Sequence, residues 1–249
     1  MTQKDRIVLV TGGAGGIGRG ICSRFAETGA TVLLADVDEA AAAAASAQIV
    51  RVTGATVHPI GLDVTNSDSR IAALQACDRL GGLDVLVNCA GVLRDARIRK
   101  LAASEFESLL DINLLGPLAL TRLALERMST HGQGAVVNLA SRAWLGTFGS
   151  TAYSTAKGGL VGVTRSLALE VGRSGITVNA VAPGFIATTM TEGLPPEIRR
   201  RTMEAIPVGR AGTPHDVADA VVFLAGATYV TGQVLLICGG RSIGDPYAA

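Results

Sequence analysis

The chain has no surplus of charge. Its 22 lysines and arginines stand against 21 aspartates and glutamates, a formal net charge of +1, so electrostatics offers no case for a nucleic acid or an anionic membrane as partner. Cysteine is sparse: Cys22, Cys77, Cys89 and Cys238 are the four present, and none has CxxC spacing. That pattern argues against a disulfide framework or a zinc site and fits a reducing, cytoplasmic setting. Cys89 reads as a small buried residue. Long apolar runs are missing as well; each falls short of a bilayer's thickness, and residues 1–6 lead into a strand with no signal-peptide pattern, so no membrane association is expected. None of the three histidines, His58, His131 and His215, stands beside Ser141 in sequence and no Gly-x-Ser-x-Gly elbow exists, which argues against a cofactor-independent hydrolase.

What is present is a regular alternation of strand and helix. At 249 residues the chain suits one large α/β domain with a sizeable core. Apolar strands are expected at 7–10, 31–35, 56–62, 84–91 (ending in a small-residue turn), 135–140, 176–182 and 233–240, separated by helical patterns that include the alanine run 40–45. No repeat or linker interrupts them. The expected architecture is therefore a single doubly wound Rossmann fold over 1–249, with a parallel sheet of about seven strands and helices on both faces. Residues 185–207, rich in threonine and proline and carrying Arg199 to Arg201, are long enough to form a substrate lid.

The first strand runs straight into Thr11-Gly12-Gly-Ala-Gly15-Gly16-Ile17-Gly18 and then a helix. Strand, glycine loop and helix form the context in which backbone can approach a pyrophosphate at a helix N-terminus. The second strand ends in Asp36, about twenty residues on, as the dinucleotide-binding pattern requires. A carboxylate there accepts from a ribose hydroxyl and repels a 2′-phosphate, and no basic residue follows, so NAD is favoured over NADP. Asp36 has an alternative role as a helix cap. So has Asp63, which ends the third strand beside Val64 and could instead accept from adenine. The fourth strand closes in Asn88-Cys89-Ala90-Gly91, a small-residue turn able to press on a cofactor.

Ser141, at the carboxyl end of the fifth strand, precedes Tyr153 and Lys157. Four residues apart on a helix, those two share a face, and a neighbouring ammonium can lower a phenol's pKa. Tyr153 is thus a candidate proton donor to a carbonyl oxygen held by Ser141. Taken alone, Tyr-x-x-x-Lys is commonly packing plus a solvated amine; its company with the glycine loop is what raises the chemical reading. Asn113, within an apolar helix, either holds water or backbone near the site or is a structural bridge. Leu93, Arg142, Trp144, Leu145, Phe148 and Phe185 are expected to wall a substrate pocket, although Trp144 could equally be packing and Arg142 could face solvent.

Together Thr11-Gly12-x-x-x-Gly16-x-Gly18, the 88–91 turn, Asn113, Ser141, Tyr153-x-x-x-Lys157 and Pro183-Gly184 resemble the short-chain dehydrogenase/reductase family over essentially the whole chain, nearest to its 3-oxoacyl reductase-like group. Cys89 stands where that family has a second asparagine, and the interval from Ser141 to Tyr153 is one residue shorter than is commonest in it. The resemblance implies Tyr153 as acid/base, Lys157 lowering its pKa and binding the nicotinamide ribose, and Ser141 orienting the substrate oxygen. It implies Asn113 holding a relay water and Asn88, Pro183, Gly184, Ile186 and Thr188 among the cofactor contacts, Thr188 at the nicotinamide amide. A homotetramer, built partly through the helices carrying Asn113 and Tyr153, is also implied. The resulting expectation is an NAD-dependent dehydrogenase of a secondary alcohol, with no metal. A 3-hydroxyacyl thioester dehydrogenase is the alternative, and an idle dinucleotide-binding scaffold the remote one.

Overall fold

In a computed structural model, which describes residues 3–188, 191, 193 and 195–244, seven parallel strands lie in the order β3-β2-β1-β4-β5-β6-β7. They are β1 (Ile7–Thr11), β2 (Thr31–Asp36), β3 (Val57–Gly61), β4 (Val85–Asn88), β5 (Gly134–Leu139), β6 (Ile176–Pro183) and β7 (Val234–Ile237). The helices are α1 (Gly16–Glu27), α2 (Glu39–Thr53), α3 (Ser67–Arg79), α4 (Ala103–Leu110), α5 (Gly116–His131), α6 (Thr151–Val171), α7 (Pro196–Glu204) and α8 (Pro214–Gly226).

Strands buried on both faces need apolar side chains at successive positions, and the period of two then divides them between two cores. Val8, Val10, Val32, Leu34, Val85 and Val87 pack against α1, α2 and α8. Their neighbours Ile7, Leu9, Leu33, Ala35 and Leu86 pack against α3, α5 and Ala168 of α6. The sheet is thus covered on both sides, as the alternation of elements predicts. The alanine run fits this arrangement, with Ala42 and Ala45 buried on one edge of α2 and the others turned outward.

Between α4 and α5, Asp111–Leu115 form a π-helical segment, and Asn113 at its centre is fully buried. With it the two helices form one stretch, Ala103–His131, of 29 residues and mean hydropathy 1.3 over its most apolar window. Among the described residues this alone is long and apolar enough to cross a bilayer, contrary to the expectation that every apolar run is too short. Its apolarity has another use. Leu109, Leu120, Ala124 and Met128 are buried against α6 or the sheet.

The strand order reverses between β1 and β4, and an open α/β sheet leaves a crevice at the carboxyl ends of such strands. The segments after β1, β4, β5 and β6 all emerge there. The expected lid, 185–207, lies partly outside the described residues, including Thr189; its described part contains α7, bound along one face by Arg200 and Arg201 to Glu197 and by Arg200 to Glu204. Arg199, Arg200 and Arg201 are all exposed, so the arginine run forms a solvated helix face.

Candidate active site

A cleft of about 970 Å³ runs along the carboxyl ends of the strands. At one end it is lined by Gly12, Gly15, Gly16, Ile17 and Gly18, with Asp36, Asp63 and Val64 beside them. The glycine loop is shaped by close approaches. Gly12 has φ +65, and a Cβ there would stand 2.8 Å from the Ala90 Cα; one on Gly16 would stand 2.9 Å from Thr188 Cγ2. Helix α1 begins with no side-chain cap and no acidic residue in its first turn, so its leading N–H groups face the cleft without a protein acceptor and with the positive dipole end.

Asp36 does not cap α2. That task falls to Asp38, whose carboxylate accepts from Ala41 N at 2.9 Å. Asp36 accepts instead from Ala14 N at 3.1 Å and from Asp38 N at 3.3 Å, tying the glycine loop to the end of β2. Asp63 is not a cap either, because Asn66 accepts from Ser69 N and caps α3. It accepts from the N–H and hydroxyl of Thr65 at 2.8 and 2.7 Å, and those bonds hold its carboxyl below the usual range.

The middle of the cleft is reached by Ala90, Gly91, Pro183, Gly184, Ile186 and Thr188. Asn88 does not reach it. Its amide donates to Thr121 and to Asn138, each at 2.8 Å, while Asn138 donates to Thr164 at 2.9 Å. This buried chain joins β4, α5, β5 and α6 beneath the cleft floor. Thr11 fixes the turn above it, its hydroxyl accepting from Cys89 N and Ala90 N at 3.1 and 2.9 Å. Cys89 lines the cleft, with burial pushing its thiol up to about 12 despite the Lys157 charge.

Ser141, Tyr153 and Lys157 converge at the same cleft. Ser141 opens a short turn, its hydroxyl oxygen accepting from Ala143 N at 3.1 Å, which leaves its O–H available as a donor. The shortened interval is therefore accommodated by a tight turn and by Gly146 and Gly149 at φ 98 and 76. Lys157 is buried, donates to Leu139 O at 2.8 Å, and lies 5.5 Å from the Tyr153 ring centre. The expected lowering of the phenol does not appear. Burial raises Tyr153 above its ordinary value, opposed by Ser141 and assisted by Cys89 and Asp95. Lys157 is itself brought down to about 8 by burial, and its proton is directed at a carbonyl rather than the phenol.

Asn113 lies beneath the cleft wall, donating to Val92 O at 3.1 Å and Leu109 O at 3.0 Å. Its Oδ1 is buried with no partner among the described residues and sits against Gly91. The expected substrate wall is only half there. Leu93, Arg142 and Phe185 line the cleft, whereas Trp144, Leu145 and Phe148 do not. Trp144 packs on Ala140, Val161, Ala180 and Ala182; the turn directs it away from Ser141. Leu145 is half exposed, and Phe148 is 86% exposed, stacked with Arg97 at 5.1 Å. Arg241, which the sequence reading passed over, does line the cleft. Its signal was its place just beyond the end of β7, on the ligand-bearing edge of the sheet.

A doubly wound parallel sheet with a glycine loop and a cleft at its switch point defines a Rossmann-type dinucleotide-binding protein. The family profile described as Enoyl-(Acyl carrier protein) reductase matches residues 12–242. The subunit BbsD of (2S)-[(R)-hydroxy(phenyl)methyl]succinyl-CoA dehydrogenase from Thauera aromatica is 42% identical, covering 98% of this chain and 99% of that protein. The 3-oxoacyl-[acyl-carrier-protein] reductase FabG of Aquifex aeolicus is 38% identical, with coverage of 95% and 97%. The crystal structure of levodione reductase superimposes with a TM-score of 0.93 at 33% identity, covering 97% of this chain and 99% of that one. The chain belongs to the short-chain dehydrogenase/reductase family and is an oxidoreductase of its 3-oxoacyl reductase-like group. Members of that family bind a nicotinamide dinucleotide.

Proposed function

We propose that the protein is an NAD-dependent oxidoreductase that interconverts a secondary alcohol and a ketone, with Tyr153 as the acid/base. The observation that carries this reading is the convergence of Ser141, Tyr153 and Lys157 on the cleft that the glycine loop opens. An idle scaffold has no use for those groups. The uncapped N-terminus of α1 suits a pyrophosphate. Asp36 retains carboxylate lone pairs for ribose hydroxyls, and the cleft's basic residues, Arg142, Lys157 and Arg241, belong to segments away from the Asp36 end. Both features favour NAD.

When bound, the nicotinamide supplies the hydride acceptor or donor. The chain's own part is orientation and proton movement. Ser141 donates a hydrogen bond to the substrate oxygen, and Tyr153 takes the hydroxyl proton during oxidation or returns it during reduction. Lys157 holds the nicotinamide ribose, and the unpartnered Oδ1 of Asn113 suits a water on the proton path to Lys157. Thr188 lies over Gly16 where it can meet the carboxamide, and residues 185–207 act as the lid of this single domain.

The named activities of the relatives favour a second reading, oxidation of a 3-hydroxyacyl thioester, since both act on thioesters by name. A carrier-protein thioester is the less suited form, because residues 130–134 hold no arginine or lysine for an acidic partner. The protein is further proposed to be a homotetramer assembled through α5 and α6. The test is NADH formation from a panel of secondary alcohols and a 3-hydroxyacyl-CoA, with NAD and NADP compared. NAD-linked turnover of free alcohols supports the first reading, and turnover of the thioester alone supports the second. Binding of NAD without turnover of any substrate would revive the scaffold.

A further inference from the structure

The turn that follows β7, Cys238 to Arg241, carries one long side chain back over the cleft. It is made possible by Gly239 and Gly240, at φ 62 and 90. Arg241 lines the half of the cleft that also holds Ser141, Arg142, Tyr153 and Phe185. In the strand order this half, built after β5, β6 and β7, lies across β1 and β4 from Asp36 at the end of β2, so the two arginines are remote from the adenosine end. Both are partly buried. Among the described residues neither is in a salt bridge.

Burial, and after it the Arg142 charge, hold Arg241 below its ordinary value, with only Cys238 acting the other way. The Arg142 charge also acts on the Cys238 thiol. Burial raises that thiol, but Ser242, backbone groups and Arg142 together bring it below its usual value. The carboxylates that line the cleft, Asp36, Asp63, Asp95 and Asp111, form no ion pair with either arginine. Two partly desolvated like charges without a counter-ion are unfavourable, and an anion between them relieves the repulsion while accepting charge-assisted, fork-shaped hydrogen bonds.

We propose that Arg142 and Arg241 form a specificity site for a carboxylate carried by the substrate, so that the alcohol oxidised is a hydroxy acid or a hydroxyacyl compound with a free carboxylate. This rests on the reading of Ser141 and Tyr153 as the reacting end. The hydroxyl then engages Ser141 and Tyr153 while the carboxylate is fixed by the arginines. Two-point attachment leaves one face of the carbinol carbon toward the cofactor, which also sets the stereochemical choice. A carboxylate on a free hydroxy acid and one on the acyl chain of a thioester present the same chemistry to the pair.

The test separates anion binding from turnover. Calorimetric titration of phenylacetate and of neutral phenylacetamide into the NADH-loaded protein reads binding alone. The acid is expected to bind more tightly than the amide, and that preference is expected to fall by about 10- to 100-fold in Arg241→Gln and in Arg142→Gln, with partial recovery in Arg241→Lys. Absent binding of phenylacetate, or a preference unchanged in both glutamine variants, overturns the proposal. In parallel, kcat/KM is compared for 3-hydroxy-3-phenylpropanoate and its methyl ester, and for a 3-hydroxyacyl-CoA bearing a terminal carboxylate. Preference for the free acid or for the carboxylated thioester identifies the source of the carboxylate. A preference for the ester overturns the arginine site while leaving the dehydrogenase reading standing. Arginine-dependent binding with no turnover of any compound keeps the pair as an anion site but overturns its role in substrate choice together with the dehydrogenase reading.

Discussion

At the scale of single residues, the balance that matters is between burial and charge around Tyr153. Burial holds the phenol protonated near neutrality, the form that donates to a ketone. Alcohol oxidation needs the phenolate, so log kcat/KM for oxidation should rise with pH through at least pH 9, while the reductive rate holds and then falls; a pH profile in both directions checks this. An oxidative profile that falls over the same range would remove Tyr153 from the base role. Lys157 leads to a stability prediction. Its value is about 8 in the fold against an ordinary 10.5. Below 8 both states carry the proton and the fold bears the whole cost of the buried charge. Between about 8 and 10.5 the unfolded chain binds more protons, so stability rises with pH, by up to about 3 kcal/mol. Urea denaturation at pH 7 and pH 10 should show this increment in the wild type and not in Lys157→Met. Asp36→Asn, which keeps an acceptor for Ala14, should shift the ratio of NAD to NADP efficiency toward NADP by about tenfold or more, read from initial rates. Most of these residues were legible because their spacing is local: four along a helix, or the last position of an apolar strand. The direction of the Tyr153 shift was not. It depends on how deeply the ring is enclosed and on which acceptor the ammonium chooses, and neither has a sequence signature.

Among elements, α8 shows how a short helix is anchored. Pro214 occupies its first turn and Thr213 accepts from Asp216 N at 3.2 Å, while the Asp216 carboxylate accepts from Thr213 N at 2.7 Å and from Arg210 at 2.8 and 2.9 Å. These partners, Arg210 first, depress the Asp216 carboxyl far below its ordinary value. Asp216→Ala should therefore cost about 1 kcal/mol at neutral pH, with the loss shrinking as pH falls through the carboxylate range; thermal denaturation at several pH values measures it. The capping roles of Asp38 and Asn66 illustrate a limit of sequence reading. Several acids and amides near a strand end can each cap the next helix, and only backbone geometry selects one. The π segment around Asn113 was hidden for a similar reason, since an apolar helical pattern continues across it. Trp144 was misplaced because the short 3-10 turn after Ser141, Arg142–Leu145, packs it on Ala140, Val161, Ala180 and Ala182 instead.

For the whole molecule, the doubly wound sheet was the most legible feature, because seven short apolar runs separated by helical patterns leave few other arrangements. Arg241 was the least legible. Its partner in the cleft, Arg142, is nearly a hundred residues away in sequence, and only the parallel order of β5, β6 and β7 brings them to one edge. The proposed assembly also belongs to this scale. A shallow apolar depression on α5 and α6, reaching Leu115 of the π segment, includes Leu118, Leu125 and Leu167 together with Arg122 and Glu170. Sedimentation equilibrium should give a tetramer, and Leu118→Asp should reduce the assembly state; a wild-type monomer would remove that proposal.

The most direct test of the central claim is the rate of NADH formation from a secondary alcohol by the wild type and Tyr153→Phe, with NAD binding measured on both proteins. The account predicts NAD-linked turnover in the wild type that drops by about 10²- to 10⁴-fold in the variant while NAD affinity is kept. Equal turnover by the two proteins would contradict it.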